Sequence, residues 1–288
     1  METAALTATS TRTAPPRRPL ARADDALDLL TEAGQAEDGQ FPLLDAAVAC
    51  ALHDDDRRAT EQAYAVMEEA VARLRWRLES QAADDALAGA LAGDVRFGGE
   101  LMNPDAVDNA DVLSVCARRR GMPAALCVLY LAAARPCGLA LTGADFPGHF
   151  LLRLETDEGP IALDPFSGCR VILPSELVRR ALHAGLPPQA AERLEALMKP
   201  VSDRQMLIRL QNHVLARARA QGDLARAERA SLRWALLDPQ DHRPWLDVAS
   251  AREAQGRLSG ALDALSRAEE RGAAIAGYIR DKLRRRLN

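Results

Sequence analysis

Lysine is almost missing from this 288-residue chain. Lys199 and Lys282 are the only two, so nearly all of the 37 basic residues are arginine. That bias fits bidentate anion binding, and a GC-rich coding sequence accounts for it more simply. Net basic charge is missing as well: a formal charge of −4 gives no overall attraction to nucleic acid. No window approaches the roughly 20 uninterrupted apolar residues that a membrane-spanning helix needs. The first residues have neither the charged start nor the apolar stretch of a secretory signal. A soluble, cytoplasmic protein with no membrane partner is expected. The five cysteines, Cys50, Cys116, Cys127, Cys137 and Cys169, are odd in number and lack the close pairs of a zinc site. Reduced thiols, mostly serving as small buried apolar residues, are expected in place of a disulfide framework, with no metal and no other cofactor.

What the chain does have is the composition of an ordinary globular protein, 48% hydrophobic and 27% charged, and length enough for two compact units. Residues 1–23, rich in Ala, Thr, Pro and Arg without hydrophobic period, predict a disordered tail. Between 24 and 91 apolar residues recur at three and four positions, as in Tyr64, Met67, Val71, Leu74 and Leu78, which predicts several amphipathic helices. The charged run Asp54 to Arg58 reads as a solvated turn. The texture changes after Val95: a Gly- and Asn-containing loop precedes a helix over about 110–119, ended by the sequence before Gly121. A second helix starts at Pro123, where a missing N–H costs nothing, and AALCVLYLAAA continues it as a nearly all-apolar, buried helix to Ala134. LALTG, HFLLRLE and PIALDPF then read as strands, the last two forming a hairpin across Thr156 to Gly159.

GMPAALCVLYLAAARPCGLALTG, PGHFLLR and ALDPFSG, in this order, resemble the transglutaminase-like core of the SirB-type family, a bacterial group with C-terminal tetratricopeptide repeats. Asn109, Arg118, Arg119, Gly121 and Pro123 fit that family's spacing, as do Pro147, Gly148, Pro165 and Phe166 within the two shorter motifs. The resemblance covers about 109–170 and extends more loosely back to about 24. It implies an α+β fold, a papain-like helix packed on an antiparallel sheet. Catalytic members of the wider superfamily use a cysteine at the N-terminus of the core helix, a histidine on the next strand and an aspartate that orients it. A helix N-terminus and an imidazole both lower a thiol's pKa, and the acid fixes the imidazole tautomer.

By this resemblance His149 and Asp164 match the second and third roles. The first falls on Pro123, about fifteen residues before Gly138, and proline has neither nucleophile nor donor. Cys127 lies one turn further on, near the same helical face; it is either a displaced nucleophile or a buried core residue. His149 and Asp164 are either a cleft pair or a structural hydrogen-bonded pair supporting the hairpin.

The last third has its own period. Gly222 and Gly256 are 34 residues apart, and so are Ala227 and Ala261, the tetratricopeptide spacing; Asp238 and Pro239 fall at the junction and Trp245 at a bulky position. The division expected is 24–197 for the helical N-terminal part plus the transglutaminase-like domain, and 202–288 for the repeats. Two repeats are too few to stand alone, so docking on the helices after Pro174 is expected. Two functions remain open: a noncatalytic binding protein offering a cleft and a repeat surface to a protein or peptide, or a cysteine-dependent acyl transferase or amide hydrolase using Cys127, His149 and Asp164.

Overall fold

A computed structural model describes residues 23–287 apart from 56, 57 and 145; the tail expected at the N-terminus lies, through residue 22, outside the described residues. Four helices come first: α1 (Ala23–Gln35), α2 (Leu43–Asp54), α3 (Glu61–Leu78) and the short α4 (Ala83–Leu87), which runs on into a π-helical stretch to Asp94. The expected stripe of α3 is its inner face, with Met67 and Leu74 buried and Tyr64, Val71 and Leu78 packed against the core. Two residues of β1 (Gly98–Gly99) pair in parallel with two of β2 (Arg120–Gly121) across α5 (Val112–Arg118). Then comes α6 (Pro123–Ala134), starting at the proline as its sequence predicts.

A five-stranded antiparallel sheet follows, in the order β6-β5-β4-β3-β7, built from β3 (Leu141–Ala144), β4 (Leu151–Leu154), β5 (Ile161–Asp164), β6 (Arg170–Ile172) and, much later, β7 (Pro200–Val201). The β4/β5 hairpin pairs Leu152 with Leu163 and turns where Gly159 N donates to Thr156 O (3.0 Å). Strand alternation divides the side chains between two cores. Leu152, Leu154 and Leu163 face the main core around α6; Ala144, Leu151, Ala162 and Ile172 face the other way. That second face is covered by α7 (Pro174–His183), α8 (Pro188–Ala191) and α9 (Leu194–Leu197).

Five antiparallel helices complete the chain: α10 (Asp203–Ala220), α11 (Leu224–Leu237), α12 (Arg243–Ala254), α13 (Leu258–Glu270) and α14 (Ala274–Leu287). A capping box between Ser202 and Gln205 starts α10. Gly222 and Gly256 end equivalent helices with φ of +72° and +74°, a conformation that only glycine adopts without strain. The dock for these helices differs from the expected one. The helices after Pro174 are already committed to the sheet, and it is α1, α2 and α6 that receive α10 and α11. Met206, Leu207, Leu210, Val214 and Leu237 belong to the main core, whereas α12 to α14 build a smaller cluster around Trp245, Val248 and Leu265.

Arginines close the dock. Arg204 donates to Ala33 O (3.1 Å), Gly34 O (3.1 Å), Ala36 O and Leu237 O (2.6 Å), tying the last turn of α1 to the end of α11. Arg233, 1% exposed, gives Nε to Gln211 Oε1 (2.7 Å) and Nη1 to Cys50 O (3.1 Å) and Asp54 (2.7 Å). Arg226 and Arg229 reach the same carboxylate, and Arg58 pairs with Asp111 at 2.6 Å. Asp54 and Arg58 are thus interior ion pairs, correcting the expectation of a solvated turn; the reason is that their partners come from elements distant in sequence.

At Gly34 the helices α1 and α11 touch so closely that an added Cβ would lie 1.9 Å from Leu236 O. Gly34→Ala should therefore cost about 1–3 kcal/mol by forcing the backbones apart, read as a lower midpoint of urea unfolding. His53, beside the Asp54 cluster, has its pKa lowered to about 4, by burial first and then by Arg233. Its folded pKa lies below the unfolded value of 6.5, so the folded state favours the neutral ring. Stability present above pH 6.5 should be lost as pH falls from 6.5 to 4, by on the order of 2 kcal/mol after allowing for partial exposure. Melting curves across that range should be flatter for His53→Gln than for the parent chain.

Candidate functional site

The start of α6 is where the chain brings the motif residues together. Met122 N donates to Asn109 O (2.9 Å), setting the entry to the helix, and Pro123 occupies its first position, partly exposed. Gly121, on β2, fits only as glycine: a Cβ would fall 2.7 Å from Val115 Cγ2. Across the β1/β2 pairing, a Cβ on Gly99 would fall 2.5 Å from the ring of Phe166. Phe166 belongs to the short turn Pro165–Ser167 that follows Asp164, so the α6 N-terminus, β1 and the Asp164 turn share one corner.

Asp164 is buried and fully engaged. It accepts from Phe166 N (3.1 Å), Ser167 Oγ (3.1 Å) and Arg180 Nη2 (2.9 Å). Arg180 also bonds Glu176, which receives both guanidinium nitrogens of Arg170 (2.9 and 2.6 Å). The doubled arginine pairing holds the Glu176 carboxyl down to about 2.

His149 follows the Pro147–Gly148 turn, where Gly148 has φ +68° and His149 N reaches Phe146 O (3.3 Å). Its half-buried ring tilts at 52° to Phe146, with centroids 6.0 Å apart. Its pKa is lowered, by burial first and by Arg180 second, with Asp164 acting in the opposite direction. His149 precedes β4 by two residues and Asp164 ends β5, the strand that pairs with β4. No hydrogen bond joins His149 to Asp164 among the described residues, so of the two alternatives the hydrogen-bonded pair is not the one found; Arg180 holds the carboxylate.

Cys127 lies one turn inside α6, is 0% exposed and makes no hydrogen bond among the described residues. Burial pushes its thiol well above the ordinary range, and the nearby Asp164 charge and Cys169 push the same way. Cys50 and Cys116 are likewise pushed up to about 12, chiefly by burial. Cys169 and Cys137 are raised for the same reason. No group of three or more His, Cys, Asp or Glu able to hold a metal ion occurs among the described residues.

The other motif residues shape a loop. Asn109, 1% exposed, donates through Nδ2 to Asn103 O (2.7 Å) and Pro104 O (3.2 Å) and accepts from Arg118 (3.2 Å). Arg119 ends α5 in the left-handed region (φ +62°), and its carbonyl accepts from Gly98 N (3.1 Å). Sequence reasoning missed Arg180, Glu176 and Arg170. The four-residue step from Glu176 to Arg180 on a helix was the one signal available.

The family follows from the sequence across the helices and sheet just described. The chain belongs to the transglutaminase-like superfamily, whose sequence profile matches residues 59–212, from the approach to α3 into α10. It is similar to the UPF0162 protein of Xylella fastidiosa strain Temecula1, 34% identical over 160 residues, covering 55% of this chain and 57% of that one. The UPF0162 protein of strain 9a5c is 33% identical over 162 residues with the same coverage. The chain thus spans somewhat over half the length of these curated relatives. A crystal structure of menin, described as revealing the binding site for Mixed Lineage Leukemia protein, aligns over 87% of this chain and 70% of that one. Its identity is 8% and its TM-score 0.38, too loose a likeness to bear on fold or function.

Replacing Arg180 with methionine tests the arrangement. Asp164 would lose its cation while remaining buried, costing about 1–3 kcal/mol of stability. The His149 pKa should rise, since a cation that lowers it is gone and the Asp164 charge that raises it remains. Imidazole NMR titration together with thermal melting checks both effects.

Proposed function

We propose that this chain is a noncatalytic, SirB-type member of its superfamily, with tetratricopeptide-type helices after the core, that presents the cleft edge and the repeat surface to a protein partner. The observation that carries this reading is the residue at the first turn of α6. Pro123 offers no nucleophile at the position where a cysteine would gain thiolate character from the helix N-terminus and a nearby imidazole. The surroundings agree with it. Asp164 is bonded to Arg180 and not to His149, so the acid does not orient the imidazole as a triad would.

A reaction through Cys127 would need a thiolate to form within apolar packing and near the Asp164 charge, and both oppose ionisation. The 34-residue recurrence of Gly222 and Gly256, each closing the first helix of an antiparallel pair, supports the repeat reading. Paired helices of this kind offer extended surfaces for protein contact.

Thiol reactivity in the full chain separates the two functions. With iodoacetamide at pH 7, peptide mapping should find Cys127 alkylated more slowly than in the guanidinium-unfolded chain, by about tenfold or more, because little thiolate exists while it is buried. Rapid, selective alkylation of Cys127 that His149→Ala abolished would overturn the noncatalytic reading.

A further inference from the structure

Beside the cleft, the segment 100–106 leaves β1 and turns back toward Asn109 with its shape fixed from several sides. The Glu100 carboxylate accepts from Met102 N (2.7 Å) and Asn103 N (3.2 Å). Asn109 holds the carbonyls of Asn103 and Pro104 from within. Arg217, more than a hundred residues away on α10, donates to Pro104 O (2.9 Å) and Ala106 O (3.2 Å). The base is anchored by Glu100 N on Gly121 O (3.1 Å).

A segment this well satisfied could have turned its apolar side chains inward. Instead Leu101 and Met102 are 76% and 93% exposed, the two most exposed large apolar side chains among the described residues. Single exposed apolar residues are ordinary. Two adjacent ones at the tip of a turn with a fixed backbone lose little further freedom when covered, which favours binding.

The charges nearby say what covers them. Arg96 and Arg120 are exposed along the ascending limb and its neighbour β2, and Arg118 at the end of α5 pairs with Glu100 at 3.8 Å. Arg96 and Arg120 form no ion pair among the described residues; Arg120 donates through Nη1 to Arg96 O (2.7 Å) and Arg119 O (3.0 Å). The one carboxylate on that limb, Glu100, is consumed by the turn: the Asn103 and Met102 amides hold its pKa low, with Arg118 and Arg120 adding to the effect. Asp105 and Asp108 are exposed on the returning limb and would repel a membrane surface and an acidic segment alike, so the complementary charge lies with Arg96 and Arg120 on the other limb.

We propose that the 100–106 turn is a docking element for an acidic amphipathic protein segment, which receives Leu101 and Met102 on its apolar face while its carboxylates meet Arg96 and Arg120. The proposal rests on the protein-binding reading above and names the partner's chemistry.

The test uses the full chain and fluorescein-labelled synthetic helical peptides with one leucine face, the remaining positions being glutamate in one peptide and lysine in the other. Fluorescence polarisation should show tighter binding of the glutamate peptide, weakened by salt. Leu101→Ser/Met102→Ser should reduce that affinity about tenfold or more with an unchanged melting curve, as expected for exposed side chains. Arg120→Ala should reduce it severalfold and flatten the salt dependence. Equal affinity for the two peptides, no binding of the glutamate peptide, or binding indifferent to the double substitution would each overturn the proposal. So would binding to phosphatidylglycerol vesicles that the double substitution abolished while the glutamate peptide failed to bind; the turn would then be a membrane contact. Slow Cys127 alkylation alongside failed peptide binding would remove this docking element and leave the noncatalytic reading standing.

Discussion

Helix α6 has no polar face, and the rest of the molecule is arranged around that constraint. Every side chain from Ala124 to Ala134 is buried, so water cannot be left on any side of it without exposing apolar surface, at about 25 cal/mol per Å². One side is closed by α2, α3 and α5, another by the sheet, and a third by α10. The last of these carries the repeat-like helices into the core. Once α10 must cover α6, its partner α11 is placed against α1 and α2, and the polar devices at that seam follow. Enclosure also explains why the Cys127 thiol is held well above its ordinary range. A cysteine one turn into a helix with no exposed face has nowhere to meet a substrate.

At the head of α6, Pro123 lies near the turn that follows Asp164, a buried carboxylate. His149 lies just before β4 and Asp164 ends the neighbouring β5. A buried carboxylate must find compensation. Here Arg180 provides it, relayed through Glu176 to Arg170. The same guanidinium helps to hold the nearby imidazole neutral. A carboxylate compensated by arginine does not need the histidine as its partner.

Local signals carried as far as local physics reaches. The start of α6 at Pro123, the turn between Thr156 and Gly159, and the glycines 34 residues apart were legible because each follows from the conformational demands of a few neighbouring residues. The two-residue pairing of β1 with β2 and the late edge strand β7 were not, since two residues carry no period. The covering of the sheet's second face by α7 to α9 was misassigned. An amphipathic stripe such as Leu177 and Ala181 says that a face is buried but not against what. Asp54 was misread for the same reason. A charged run looks solvated until arginines from a helix more than 170 residues away converge on it. At the candidate site the partner of Asp164, Arg180, was not legible because it comes from a helix outside the motif.

The scarcity of lysine takes on structural meaning in this setting, whatever the base composition behind it. The docking seam presents mostly backbone carbonyls at helix ends, acceptors that need donors in several directions at once. Arg204 serves four of them from α1 and α11 while also pairing with Asp38 and stacking over Phe41 at 4.9 Å. Arg233 serves an amide, a carbonyl and a carboxylate from a fully buried position. An ammonium group presents three donors from one point, is more strongly hydrated, and loses its charge more readily on burial. The fork geometry of arginine therefore lets single residues join elements that share no continuous apolar face. The same side chain, in Arg217, fastens α10 to the carbonyls of the 100–106 turn. The C-terminal helices are thus joined to the rest of the chain by directional donors as well as by packing, and the 100–106 turn is held partly from α10.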